Sequence, residues 1–403
     1  MVEIVAERLL QDLEDLSRIG KYKTGVHRPT FSPADMEARA WLRARLANAG
    51  LDARIDGIGN VLGYCSAPKR VLVGSHIESQ PYAGRLDGAL GVLYGIELAR
   101  AFRDMGRDIG VDVGAWVDEE GYYGTKLGSR SFCDQLAADE LSRSRHRDDG
   151  TPMLAALREA GLAELPREKI DVSRYVAYCE AHIEQGDWLE ANNLSIGVVT
   201  GIVGTWIFRI KATGVQNHAG TTRMAIRRDA GLALCRLAVA INDELPDVAG
   251  ERSVWTTGRL EMLPGVYTII PGSAKMDFQF RDTEPDILQR MHDRVDEIIK
   301  RLNTAGPCHI EYTIEKGAPA PMAPHLQSKM LAAAEEIAPG LYTQMPSAAG
   351  HDASIFSSVL PSAMLFVPSI GGISHHFDED TKSEDIVLGC RVFARTIESV
   401  LSA

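Results

Sequence analysis

The sequence predicts an α/β protein in two parts: a larger domain with a mixed, largely parallel sheet flanked by helices, and a smaller α+β two-layer domain inserted into it. Three features carry that expectation. Apolar, β-branched runs at 71–74 and 111–117 enclose a long apolar run at 89–105, and polar residues gather where the strands stop. Strand, helix, strand with polar residues at the carboxyl ends is the pattern of an open α/β sheet whose ligand site lies beyond that edge. Around Thr205 the texture changes to alternation, Trp206-Ile207-Phe208-Arg209-Ile210-Lys211-Ala212, and a β-α-β-β-α-β order follows. Such an order folds as a sheet covered by two helices, the ferredoxin-like arrangement.

Each element has a local reason. Residues 1–20 read as an acidic amphipathic helix carrying Ile4, Leu9, Leu10, Leu13 and Leu16. Ser32-Pro33 ahead of Met36, Ala40 and Leu46, with Gly50 behind, reads as a capped helix with proline in its first turn. A short strand is expected at 58–64, and the helix at 89–105 is closed by Gly106. In the insert, strand-like runs at 206–212, 254–260, 274–281 and 309–314 alternate with helix-like runs at 228–245 and 285–302. Helix-like 325–337 and strand-like 363–367 then return to the first domain. The expected domains are 1–205 with 321–403, and 206–320.

Composition excludes several classes of protein. A chain of 403 residues with 45% hydrophobic and 24% charged residues is long and apolar enough for two folded cores. The net charge of −12 argues against a phosphate-tracking surface, so no nucleic-acid partner is expected. Six widely and irregularly spaced cysteines form no Cys-x-x-Cys pair and are expected as buried, reduced thiols. The amino terminus lacks the basic start and apolar block of a secretion signal, and no run approaches a membrane span. A cytoplasmic location with no membrane partner is expected.

Six separated fragments hold residue types suited to a hydrolytic metal site: GSHIES (74–79), GRLDGALG (84–91), DEEG (118–121), EAHIEQG (180–186), NHAGTT (217–222) and GISHH (372–376). Two divalent ions held close together need nitrogen or oxygen ligands on each, and usually a carboxylate that bridges them. His76 follows an apolar strand, and Asp87 stands at the glycine-flanked start of a buried helix. Taken singly, His76 reads as a core or loop histidine and Asp87 as a helix cap; only the ensemble of fragments makes them ligands. Glu119 and Glu120 follow another apolar strand, where desolvation and mutual repulsion call for a cation or a proton. Continuing that strand would turn them to opposite faces, one toward metal and one toward a reactant. A solvated acidic turn is the alternative. Ser129 and Ser131 lie in no Gly-x-Ser-x-Gly elbow and read as loop-capping serines.

Together these fragments resemble the hydantoinase/carbamoylase family of amidohydrolases, within the aminoacylase-like dinuclear metallopeptidase group. The resemblance runs nearly end to end, from Gly25 through GSHIESQ, GRLDGALGV, DEEG, GSR, HIEQG, NHAGTT, IIPG, GHDA and FVPSIGGISH. It implies two divalent ions per subunit, zinc foremost, with manganese, cobalt or nickel as alternatives. His76 and His182 would bind one ion, Glu120 and His375 the other, and Asp87 would bridge them. Glu119 would be the general base that takes a proton from water and passes it to the leaving nitrogen. His218 would stabilise the oxyanion in the partner subunit's site, the inserted domain serving as lid and homodimer contact. Arg281 would clamp a substrate carboxylate by a paired fork. Gln185 would help hold the amide, with Asn217, Thr268 and Gly372 completing the substrate contacts. His351 and Asp352 would have supporting roles, and His376 none.

The implied activity is metal-dependent cleavage of the C–N amide bond of an N-carbamoyl, or related N-acyl or ureido, L-amino acid. Two other readings stand beside it: an aminoacylase or exopeptidase of the same group, and a non-catalytic protein that captures a small acid. His182 opposes the former, whose members usually carry a carboxylate there. The chain also departs from the family pattern. His76-Ile77-Glu78 replaces His-x-Asp, lengthening the carboxylate expected to orient the histidine. Tyr122-Tyr123-Gly124 replaces Ser-Arg-Phe, losing a cation and adding aromatic surface near the pocket, which suggests a bulkier or more aromatic substrate. Thr268 replaces an asparagine, and Arg223 a proline.

Overall fold

A computed structural model describes residues 2–108 and 110–402. Met1, the start of the expected first helix, lies outside the described residues, as does Ala403; the helix itself spans Ala6–Arg18 and buries Leu9, Leu13 and Leu16. The chain divides into two compact units, Met1–Thr200 with Pro321–Ala403, and Gly201–Ala320.

The first unit is built on a nine-stranded sheet. Its centre is four parallel strands, in the order Ser362–Val367, Tyr175–Ile183, Arg70–Ser75 and Val111–Ala115. Outside them the pairing turns antiparallel: Ile196–Ile202 on one side, Val61–Tyr64 and Asp52–Ile55 on the other. Parallel pairing is thus confined to the middle of the sheet; at one edge Asp52–Ile55 and Val61–Tyr64 form an antiparallel hairpin joined by a turn too short for a crossover. Arg70–Ser75 and Val111–Ala115 are buried throughout, and apart from Arg70 and Asp112 they hold only apolar or small residues, as helix-covered strands do. Helix Ala89–Asp104 packs on them with fourteen of its residues buried.

Local chemistry sets the boundaries. Ser32 caps helix Pro33–Asn48 by accepting the Asp35 N–H at 3.2 Å. The strand expected from residue 58 begins only at Val61, because the Asp56 carboxylate gathers the N–H groups of Ile58, Gly59 and Asn60 into a turn at 2.8–3.1 Å.

The second unit carries a four-stranded antiparallel sheet, ordered Val254–Leu263, Ser273–Asp282, Gly204–Thr213, His309–Lys316. Helices Ala230–Glu244 and Pro285–Ala305 contribute to a core with Phe208, Phe278 and Phe280. Its strands alternate buried and accessible positions, so one face is dry and the other wet. All six cysteines are free, and all but Cys235 are buried. Among the described residues no helix is long and apolar enough to cross a membrane.

Candidate metal centre

The carboxyl ends of the four parallel strands converge on one cluster of side chains. His76 directly follows Arg70–Ser75, and His182 lies one residue from the end of Tyr175–Ile183. Asp87 precedes helix Ala89–Asp104, which has no side-chain cap, so its carboxylate is not used to start the helix. Glu119 and Glu120 follow Val111–Ala115, and His375 follows the turn Ile370–Gly372.

Asp87 is the hub. Its Oδ1 lies 3.1 Å from His182 Nε2 and 3.4 Å from His76 Nε2, while its Oδ2 lies 3.4 Å from His375 Nε2. Glu120 Oε2 is 3.8 Å from His375 Nε2, and Glu119 Oε2 is 3.9 Å from His76 Nε2. Two ligand sets result, His76–Asp87–His182 and Asp87–Glu120–His375, each with its donor atoms within 4.8 Å of one another.

Backbone groups aim the imidazoles. His76 Nδ1 faces the Glu78 carbonyl at 3.1 Å, and His182 Nδ1 faces the Ile183 carbonyl at 2.8 Å. A carbonyl only accepts, so each Nδ1 carries a proton and each Nε2 is the atom directed at the cluster. Gly88 makes this packing possible. Its φ is +67°, and a Cβ there would stand 2.4 Å from the His76 ring.

The electrostatics favour a cation. Burial, the Asp87 charge and the Glu119 charge push Glu120 up to about 8, and burial raises Glu119. Burial also opposes ionisation of Asp87, yet contacts from His182, His375 and His76 hold it well below the usual carboxylate range. The contact with Asp87 raises His375 to about 9 against the effect of burial. Two carboxylates, Asp87 and Glu120, with three convergent imidazole nitrogens form a donor set of the kind that holds hard or borderline divalent ions.

Three sequence expectations change here. Glu119 and Glu120 do not continue a strand: it ends at Ala115, and both sit in a turn. Asp118, at φ +61°, shapes that turn by accepting the N–H groups of Tyr122, Tyr123 and Gly124 at 2.8–3.0 Å. The turn therefore sends one glutamate toward His76 and its neighbour toward His375. Second, the Glu78 carboxylate does not orient His76; its backbone carbonyl does. The carboxylate instead accepts the Glu119 N–H at 2.8 Å and Arg39 Nη2 at 2.9 Å, and Arg39 also pairs with Asp35 at 2.9 Å. Third, Tyr122 adds no aromatic wall to a pocket. It is 1% exposed, with its hydroxyl bonded to the Ser79 carbonyl at 2.9 Å.

The remaining candidates fall into two places. Gln185, at φ +60°, directs Nε2 to Asp87 Oδ2 at 3.1 Å, and its N–H bonds Ser369 Oγ at 3.0 Å. Gly372 has φ +65° and packs where a Cβ would meet Asp187 at 2.9 Å. His351 is buried edge-on to His182, with ring centroids 4.5 Å apart, and burial holds it well below its usual range. Asp352 accepts the Ser129 hydroxyl at 2.6 Å. His376 is exposed.

In the second unit, strand Asn217–His218 pairs with Ile269–Ile270, and the Thr268 carbonyl accepts the Ala219 N–H at 2.9 Å. Asn217, His218 and Thr268 thus lie together on an exposed rim. His218 Nδ1 accepts from Gly220 and Thr221 at 2.9 and 3.2 Å, which leaves Nε2 as a donor. Arg281 is half-buried near the end of Ser273–Asp282, with Nη2 3.4 Å from Gln279 Oε1.

Sequence reasoning did not single out Glu379 or Gln80. Buried Glu379 accepts the N–H groups of Leu86 and Asp87 at 3.3 and 3.1 Å, fixing the Asp87 turn from nearly 300 residues away. Gln80 bonds both oxygens of Glu120. Glu379 sits four residues beyond His375, a buried acid beside a candidate ligand, and that was the available signal.

Comparison with known proteins places this geometry. The profile described as Peptidase family M20/M25/M40 matches residues 72–399. An N-carbamoyl-L-amino-acid amidohydrolase from Pseudomonas sp. (strain NS671) is 32% identical over 98% of both chains. Allantoate amidohydrolase from Escherichia coli K12 is 30% identical over 92% of both. A crystal structure of an amidase of the hydantoinase/carbamoylase family from Burkholderia phymatum superposes with a TM-score of 0.92 at 42% identity, covering 100% of this chain and 99% of that one. The chain therefore belongs to peptidase family M20/M25/M40, among its hydantoinase/carbamoylase amidases.

Proposed function

We propose that this protein is a metal-dependent amidohydrolase that cleaves the C–N amide bond of a ureido acid, such as an N-carbamoyl L-amino acid, or of a related N-acyl amino acid. The observation that carries the reading is the pair of ligand sets sharing Asp87, with Glu119 beside one of them. Relatives named for N-carbamoyl-amino acids and allantoate support a substrate with a ureido group near a carboxylate.

His76, His182 and Asp87 would hold one divalent ion, and Asp87, Glu120 and His375 a second; zinc suits the nitrogen-rich first set, and manganese, cobalt or nickel suits either. Such a pair of ions, when bound, polarises a carbonyl and acidifies water. Glu119 takes the proton of the attacking water and delivers it to the leaving nitrogen. Its N–H bond to Glu78 and the Arg39–Asp35 pair behind keep its backbone from shifting. In the second unit, His218 offers Nε2–H to an oxyanion, and Arg281, with Asn217 and Thr268, receives the substrate carboxylate.

The second unit also serves as lid and homodimer contact, so that His218 acts in the partner subunit's site. Its outer strand Val254–Leu263 exposes Val254, Leu260 and Met262, and nearby Tyr267 is 96% exposed, a surface of the kind a second copy covers. The test is a panel of carbamoyl, acetyl and ureido acids, with ammonia and free amine followed together. Chelation should abolish turnover, and zinc, manganese or cobalt should restore it; indifference to both overturns the reading.

A further inference from the structure

We propose that Arg147 is a positioning residue for the Glu120 half of the metal centre and acts through Gln80. The inference rests on the reading of Glu120 as a ligand. Where the family pattern has an arginine just after Glu-Glu-Gly, this chain has Tyr122-Tyr123-Gly124. A guanidinium reaches the Glu120 turn from farther along the chain. Arg147 Nη1 donates to the Glu120 carbonyl at 3.0 Å, and Nη2 donates to Gln80 Oε1 at 2.7 Å. The guanidinium stacks on Tyr122, 4.1 Å from the ring centroid, and the Arg147 N–H bonds the Tyr122 carbonyl at 2.8 Å. Tyr122 is itself immobilised by burial and its bond to Ser79. Tyr122 and Arg147 thus form one unit beside Glu120.

Gln80 connects that unit to the ligand. Its side-chain Nε2 donates to Glu120 Oε2 at 2.7 Å and to the Glu120 carbonyl at 3.0 Å, and its backbone N–H reaches Oε1 at 3.2 Å. A carboxamide can rotate by half a turn and exchange its oxygen for its NH₂. An arginine only donates, so with Arg147 present the Gln80 oxygen faces the guanidinium and the NH₂ faces Glu120. The carboxylate is then held in one orientation, with its remaining lone pairs directed at the cluster. Without Arg147 the Gln80 oxygen loses its donor, and the amide is held only from the Glu120 side.

The test uses zinc-loaded protein and a competing chelator, with ions counted at each concentration, for wild type, Arg147→Met, Arg147→Lys and Gln80→Leu. Methionine keeps apolar contact with Tyr122 and removes the donors. Arg147→Met and Gln80→Leu should release one of the two ions at roughly 10- to 100-fold lower chelator, the range for supporting partners of metal ligands. The other ion should leave as in wild type, and the melting temperature of metal-free protein should not change. Arg147→Lys should lie between, because an ammonium lacks the fork that spans both acceptors. A wild-type release curve for Arg147→Met overturns the proposal, as does joint loss of both ions with a lowered metal-free melting temperature. Fewer than two ions on wild type would overturn the dinuclear reading as well; an altered wild-type count and an unaltered variant are thus separable failures.

Discussion

The two halves of the centre share Asp87 but are built differently. In the half made by His76 and His182, both imidazoles are at most 3% exposed and both Nδ1 atoms face backbone carbonyls. In the half made by Glu120 and His375, the histidine side chain is 51% exposed and its backbone is left-handed, at φ +54°. The first half draws its ligands from the ends of adjacent central strands, which move only with the sheet. The second relies on a turn, a loop and borrowed supports, Gln80 and Arg147 for Glu120 and Gln185 near His375. On the proposed reading, the sheet-borne residues would hold their ion in one fixed geometry, and the loop-borne residues would hold theirs through supports that can shift.

The strongest way to break the comparison is at the shared hub. Asp87→Asn should strip both ions and abolish activity, and ion counting on the purified variant checks it; retention of one tightly held ion would show that the halves are independent. Next in size is Glu119→Gln. It should keep both ions while kcat falls about 10²- to 10⁴-fold, the scale of a lost general base. Unchanged turnover would remove Glu119 from the mechanism. The comparison is sharpened by His375→Ala against His182→Ala. The former should leave one ion bound as tightly as in wild type, and the latter should loosen the protected ion; calorimetric titration of metal-free protein resolves the two.

Much of this was readable in the chain because metal chemistry restricts residue types and buried strands restrict pattern. The runs ending at Ser75 and Ala115 are mostly apolar because both strands are buried throughout; the one charge inside the second, Asp112, is met by the Cys65 N–H, Arg70 and Tyr175. Strand Tyr175–Ile183 lies equally deep yet was not legible as a strand, because Glu180 and His182 interrupt its pattern. Glu180 is tolerated there by Ser75 at 2.8 Å, Tyr178 at 3.2 Å and the Ala353 N–H at 2.8 Å, partners scattered along the chain. Arg147 was hidden for the same reason, standing 67 residues from Gln80. The Glu-Glu turn was misread as strand because Val117 prolongs the apolar run, whereas the left-handed Asp118 that ends it has no pattern of its own.

The smallest expected effect concerns protons in the adjustable half. Burial and the charges of Asp87 and Glu119 raise Glu120 from 4.5 to about 8, and the contact with Asp87 raises His375 from 6.5 to about 9. In each case the folded, metal-free protein keeps a proton that the unfolded chain has released. The unfolded state then binds fewer protons than the native state, so stability falls as the pH rises between those limits. Both groups contribute with the same sign. A bound cation displaces these protons, so the stabilisation it gives should grow over the same range. Melting curves of metal-free wild type and Glu120→Gln between about pH 5 and pH 9 test this. The variant should show the shallower decline. Parallel declines would mean that Glu120 ionises as it does in water, and the contrast between a charged, adjustable half and a locked one would lose its electrostatic basis.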